Sequence, residues 1–234
     1  MPTIRNNISS IQRRLQHAAS DAGRSPDEVL LLAVSKTRTS AQINEALEVG
    51  IKSFGENYLQ EAVEKIGELS ASNLDWHFIG PLQSNKTRTA AENFSWVHSV
   101  DRLKIAQRLS AQRPEHMAPL NLCLQINIDN EPSKSGFSPQ QALVAAVKIA
   151  DLPNIVLRGL MAIPRARAEL AEQRIPFAQL RELKDQINEL LDNSRKLDTL
   201  SMGMSGDMEA AILEGATIVR VGTDIFGSRE KQST

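Results

Sequence analysis

The chain has 234 residues, of which 27 are Lys or Arg and 28 are Asp or Glu, for a net charge of −1 at pH 7. That balance, with no basic run interleaved with aromatics, argues against nucleic-acid binding, which needs a strongly cationic surface to release counterions. The scattered charges read as solvated helix faces, and the length suits one large α/β domain, taken as 1–234.

No segment reaches the apolar length needed to span a bilayer, and the N-terminal stretch lacks the apolar core of a signal peptide. A cytoplasmic protein with no membrane partner is expected. The single cysteine, Cys123, sits in the apolar run Leu122-Cys123-Leu124 and reads as a buried, inert thiol. His17, His77, His98 and His116 show no metal-ligand spacing, so no metal site is expected.

In chain order, Ile4, Ile8, Ile11 and Leu15 recur at helical spacing behind a capping Thr3, and a break follows at Asp21 to Pro26. Strand patterns come next at 30–36, 53–57, 75–80, 96–100, 121–128, 157–163, 199–205 and 217–226. Helical patterns separate them. Ser40 opens 41–49, which Gly50 closes, and 58–69, 84–92 and 101–112 follow. Ser138 caps 139–150 with proline at the first position, and Pro176 likewise opens a longer helix with Phe177, Leu180, Leu183 and Ile187 on its apolar stripe. The last helix is expected at 207–213, and the polar tail 228–234 is expected to fray. Eight strands alternating with helices predict a (β/α)8 TIM barrel with an extra N-terminal helix, the alternative being a doubly wound open sheet.

Barrel chemistry gathers at the C-terminal ends of strands. Lys36 ends the run Leu30-Leu31-Leu32-Ala33-Val34-Ser35-Lys36, where a desolvated amine loses proton affinity and becomes a nucleophile toward aldehydes. Asn57 ends the second strand, as a hydrogen-bonding group or a turn residue. His77 lies on the third, as a core histidine before a catalytic base. Ser201 to Ser205 leave the seventh strand, and Arg220, Gly222 and Thr223 lie on the eighth. Small residues and hydroxyls on these last two strands suit a phosphate, with ordinary capping as the plain alternative. An aldehyde-capturing lysine beside a phosphate cradle points to pyridoxal phosphate. Arg220 on a buried strand needs an acceptor, either an unprotonated pyridine nitrogen or a barrel carboxylate such as Glu56. Lys134 in Pro132-Ser133-Lys134-Ser135-Gly136 stands near the expected mouth, as a solvated loop lysine or an accessory anion contact.

The segments AVSKT (33–37), FGENY (54–58), WHFIGPLQSNK (76–86), NI (127–128), SKSG (133–136), RGLMAI (158–163), MGMSGDMEAAI (202–212) and VRVGTDIFG (219–227) span nearly the whole chain. On them the chain resembles the YggS/PROSC family of pyridoxal phosphate homeostasis proteins. The resemblance implies a barrel like the N-terminal domain of alanine racemase, an internal aldimine on Lys36, and Arg220 facing the pyridine nitrogen. It further implies a phosphate held by Ser201, Ser205, Gly222 and Thr223, with Asn57, His77 and Met204 lining the ring. The implied role is to bind, buffer and release pyridoxal 5′-phosphate, with apo forms of enzymes using that cofactor as recipients and no established turnover.

A non-enzymatic role is also expected from the residues. A two-base racemase needs a second acid/base, which racemases of this fold supply as a tyrosine from an added β-domain. The sequence holds one tyrosine, Tyr58, and ends after the eighth strand. The competing readings are an amino-acid racemase with an unrecognised acid, and a lysine-dependent aldolase acting on a sugar phosphate. A monomer is expected, since the helices show no obvious apolar patch.

Overall fold

The computed structural model describes residues 3–227. Eight parallel strands close into a barrel in the order β1 to β8, the eighth pairing back onto the first with Leu32 beside Arg220 and Ala33 beside Val221. The strands are β1 Leu30–Val34, β2 Ser53–Glu56, β3 Asp75–Phe78, β4 Trp96–Val100, β5 Leu120–Ile126, β6 Ile155–Ala162, β7 Thr199–Ser201 and β8 Ile218–Val221. This is the expected (β/α)8 barrel, and the open-sheet alternative falls with its closure.

The helices are α1 Ile4–Asp21, α2 Ser40–Leu47, α3 Leu59–Glu68, α4 Thr87–Asn93, α5 Leu103–Gln112, α6 Pro139–Ala150, α7 Leu170–Leu190, α8 Met208–Leu213 and α9 Thr223–Phe226. Helices α5 to α8 pack on the strands, while α1 packs on α2, α8 and α9. Helix α1 buries Ile4, Ile8, Ile11, Leu15, Ala18 and Ala19 and is capped at Thr3, whose side chain accepts from Asn6 N. Helix α6 starts as expected, with the Ser138 side chain and Gln141 forming a capping box ahead of Pro139. Among the described residues no helix is long and apolar enough to cross a membrane.

Several boundaries differ from the sequence expectation. Helix α2 is capped by Thr39, one residue earlier than expected, because Thr39 and Gln42 close a reciprocal capping box while Ser40 turns its hydroxyl to Glu68. Helix α7 starts six residues before Pro176, which sits inside it. The added turns are held by tertiary partners: Gln173 donates to Arg167 O and Gly206 O, and Arg174 pairs with Glu214. These contacts offset the backbone hydrogen bond that a proline cannot donate. Strand β7 ends at Ser201 because Gly203 takes φ +90°, and a Cβ there would lie 2.5 Å from the Ala211 Cβ. Strand β8 stops at Val221, and the chain turns at Gly222 into α9, so 222–226 is not strand. The predicted tail at 228–234 lies outside the described residues.

Candidate functional site

A cavity of about 300 Å3 opens at the C-terminal rim, lined by Val34, Lys36, Arg38, Asn57, Ile79, Ile163, Met204, Ser205, Gly206, Arg220, Gly222 and Thr223. Seven of the nine sequence-predicted residues therefore meet in one place: Lys36, Asn57, Met204, Ser205, Arg220, Gly222 and Thr223. They arrive from β1, β2, β7 and β8 or the turns just beyond, in accord with the rim rule.

Lys36 leaves the end of β1 half-buried. The residue after it, Thr37, takes φ +62°, a left-handed conformation that costs a β-branched residue on the order of 1–3 kcal/mol. The Glu61 carboxylate holds that turn by accepting from the Thr37 backbone N–H at 2.5 Å. The floor beside Lys36 is braced as well. Ser35 Oγ donates to Glu56 Oε1 at 2.7 Å, and Lys65 Nζ donates to Glu56 Oε1 and Ser35 O, each at 2.8 Å, and to Glu61 at 2.5 Å. Burial pushes the Glu56 carboxyl up, only partly opposed by Lys65 and Ser35. Asn57 follows directly. Its carbonyl passes Gly80 so closely that a Cβ there would stand 2.1 Å away, which fixes glycine at that position. The Asn57 Oδ1 is buried without a hydrogen-bond partner, an acceptor held ready at the cavity wall.

Arg220 crosses the barrel interior beneath the cavity. Its two terminal nitrogens are engaged: NH1 donates to Ser201 O at 2.5 Å and Ser201 Oγ at 2.7 Å, and NH2 donates to Ala162 O at 2.9 Å. Its Nε–H has no hydrogen-bond partner among the described residues. Burial pulls the guanidinium down to about 10, with Asp207 acting in the opposite direction, so it keeps its charge at neutral pH. The alternative in which Arg220 pairs with Glu56 is overturned, because Glu56 spends its charge on Lys65.

Two predicted residues do not line the cavity. Ser201 is fully buried, committed to Arg220 and to His98 Nδ1 at 2.7 Å, so it stands below the site instead of in a phosphate cradle. His77 is also fully buried, with Nδ1 2.9 Å from His98 Nε2 and Nε2 3.3 Å from Asp75 Oδ2. It packs flat against Trp96 and does not line the cavity. Sequence reasoning weighed His98 only as a metal ligand. Its signal was alternation, since a histidine between Val97 and Ser99 on a buried strand requires polar partners.

The far wall is made by two turns, Met204 to Gly206 after β7 and Gly222-Thr223 after β8. Asp207 accepts from Met204 N at 2.6 Å and so shapes the first. Burial pushes the Asp207 carboxyl up, against that hydrogen bond and the charge of Arg220. In the first turn of α9 the N–H groups of Thr223 and Asp224 have no backbone partner among the described residues, as expected at a helix start. Arg14 of α1, unremarked in the sequence, clamps both turns from outside. It donates to Ser205 O at 2.9 Å and Asp224 Oδ2 at 3.0 Å, and to Glu209 at 2.7 Å. Lys134 faces a neighbouring cavity of about 330 Å3 that shares Asn57, Ile79 and Ile163 with the first, and it pairs with Glu131 at 2.6 Å.

The family model described as the alanine racemase N-terminal domain matches residues 3–230, which take in the whole barrel with its amine past the first strand and its cation on the eighth. A pyridoxal phosphate homeostasis protein of Pseudomonas aeruginosa is 58% identical over 230 residues, covering 98% of this chain and 97% of that one. PipY of Synechococcus elongatus PCC7942, solved with pyridoxal phosphate bound, is 39% identical with a TM-score of 0.80, over 92% of this chain and 100% of that one. An alanine racemase of Clostridium difficile shares the fold at 15% identity and a TM-score of 0.71, over 98% of this chain and 58% of that one. The chain belongs to the alanine racemase N-terminal domain family and, within it, to the pyridoxal phosphate homeostasis proteins.

Proposed function

We infer that this chain binds pyridoxal 5′-phosphate in the rim cavity and acts as its carrier, buffering the cofactor and delivering it to apo-enzymes. The bound cofactor supplies an aldehyde that an amine can capture and a pyridine ring whose nitrogen accepts a hydrogen bond. The residues fit that group. Lys36 brings the amine to the cavity from the turn that Thr37 makes after β1. The Arg220 Nε–H is an uncommitted donor of a group that cannot pass on its proton at neutral pH, which suits an unprotonated ring nitrogen. The unpartnered Asn57 Oδ1 suits a phenolic hydroxyl. Ser205, Gly206, Gly222 and Thr223 offer hydroxyls and close backbone approach to a phosphate, and Met204 offers an apolar wall.

The observation that carries this reading is the convergence of Lys36, Arg220 and the two small-residue turns on one cavity of about 300 Å3. The bound form of PipY and the names of the relatives agree with it. The carrier reading, as against a racemase, draws on the lining. Besides Lys36, its ionisable residues are Arg38 and Arg220, both poor proton donors at pH 7, and Tyr58 is 52% exposed and away from the cavity. The proposal includes one domain over 1–234, working as a monomer in the cytoplasm. Incubation of the loaded protein with alanine, serine and other amino acids, followed by chiral analysis, should give no sustained conversion, while an apo-enzyme added to it should gain activity. Turnover that disappears in Lys36→Ala would replace the carrier reading with an enzymatic one.

A further inference from the structure

The hydrogen bonds beneath the cavity run in one direction only. Arginine donates and never accepts, so Ser201 Oγ must accept from Arg220 NH1. That leaves the Ser201 hydrogen for His98 Nδ1. A bare Nδ1 puts the hydrogen of neutral His98 on Nε2, where it is donated to His77 Nδ1. His77 in turn carries its hydrogen on Nε2, facing the Asp75 carboxylate. Each step fixes the next tautomer, and each donor from Ser201 to His77 finds an acceptor.

We propose that Asp75, His77, His98 and Ser201 form a polarised relay that positions Arg220 for the ring nitrogen of the cofactor and ties its hold to the protonation state at the opposite end of the barrel. The proposal rests on the cofactor reading above. The relay residues are positioning groups, because none lines the cavity. Arg220 alone reaches it. The far end is open to solvent: the Asp75 side chain is 43% exposed at the N-terminal end of β3.

Other charges near the chain are few. His77 faces Asp75 and His98, and it stacks on Trp96, whose ring also neighbours His98 and Arg158, the latter paired with Asp198. His98 faces His77, Ser201 and the charge of Arg220. Burial, then His77 and Arg220, hold His98 well below the usual histidine range, in keeping with a neutral ring. Burial pulls the Asp75 carboxyl upward, but the hydrogen bonds it accepts from His77 and Ser95 oppose this, and it lies below the ordinary value.

The relay has a second state. Uptake of one proton from solvent leaves His77 with hydrogens on both nitrogens. The single hydrogen of His98 must then sit on Nδ1, and Ser201 Oγ accepts from His98 and Arg220 together. The Ser201 hydrogen loses its acceptor, and an imidazolium joins a guanidinium on one buried line. Both changes oppose the seating of Arg220, so the cofactor should be released on acidification.

The test has two readouts. Imidazole nitrogen NMR of the cofactor-free protein at pH 8 should show His77 and His98 both as neutral Nε2–H tautomers. Cofactor affinity, measured by absorbance titration between pH 5 and pH 8, should fall about tenfold across a one-proton step, the equilibrium value of one charge-assisted hydrogen bond. In Asp75→Asn that step should move to lower pH, because the carboxylate that favours a charged ring at His77 is gone. A purely structural Asp75 would leave the step where it is. The Nδ1–H form of either histidine, or equal profiles for wild type and Asp75→Asn, would overturn the relay. Failure of the wild type to take up any cofactor would instead overturn the cofactor reading, and the tautomers would still test the relay.

Discussion

Replacing Lys65 by methionine tests the bracing beneath Lys36. The substitution keeps the chain length and removes the cation that Glu56, Glu61 and the Ser35 carbonyl share. Glu56 is fully buried and its Oε2 already lacks a partner, so the stranded carboxylate has little alternative solvation. Removing one partner of a buried pair costs about 3–5 kcal/mol. An independent bound comes from the escape route, protonation of Glu56. Starting from the ordinary value of 4.5, neutralising a carboxylate at pH 7 costs about 3 kcal/mol, at ~1.36 kcal/mol per pH unit. The two figures agree, so urea unfolding at pH 7 should show Lys65→Met less stable by about 3–5 kcal/mol. The sign with pH follows. Protonated Glu56 needs no cation, so the deficit should shrink by about 1.4 kcal/mol for each unit of acidification toward pH 5. Lys65→Met/Glu56→Gln should recover part of the loss at pH 7. A deficit below about 1 kcal/mol, typical of a solvated pair, or one constant from pH 7 to pH 5, would refute the reasoning.

Arg220→Glu should weaken cofactor retention and change its absorption spectrum, since a carboxylate favours a protonated ring nitrogen; an unchanged spectrum and affinity would make Arg220 purely structural. Thr223→Ala should cost about 1–3 kcal/mol of cofactor binding in an absorbance titration if its hydroxyl meets the phosphate, and wild-type affinity would remove it from that wall. His98 supplies a pH trend of its own. Its folded-state value lies well below 6.5, so it adds no pH dependence above that pH, and its contribution is lost as pH falls from about 6.5 toward the folded-state value, by up to ~1.4 kcal/mol per unit. Urea unfolding of His98→Asn at pH 7 and pH 5.5 should show a smaller acid loss than wild type, and equal losses would mean that His98 is not held neutral.

The sequence was most informative where local chemistry decides the outcome. The apolar run ending in Lys36 became β1, and Ser138-Pro139 started α6, because alternation and capping act over a few residues. Pro176 misled for the opposite reason: the early turns of α7 are held by Gly206 and Glu214, contacts that no local pattern reveals. The site was legible as a set of residues on one rim, but not in depth. Ser201 and Arg220 both belong to late strands, yet Ser201 lies beneath the cavity, because Gly203 carries the chain past it to Met204 and Ser205 at the wall. The partner of Glu56 was misjudged because Lys65 reaches it from α3, where the sequence showed only a charged residue in a helical pattern.

The central claim is that the Lys36 amine captures the aldehyde of the cofactor in the rim cavity. Borohydride reduction of protein incubated with pyridoxal 5′-phosphate, followed by peptide mapping, tests it directly. The account predicts one label per chain, on Lys36, and none there in Lys36→Ala. A label on another lysine, or a wild-type protein that neither absorbs as a lysine-bound cofactor nor retains a label, would contradict it.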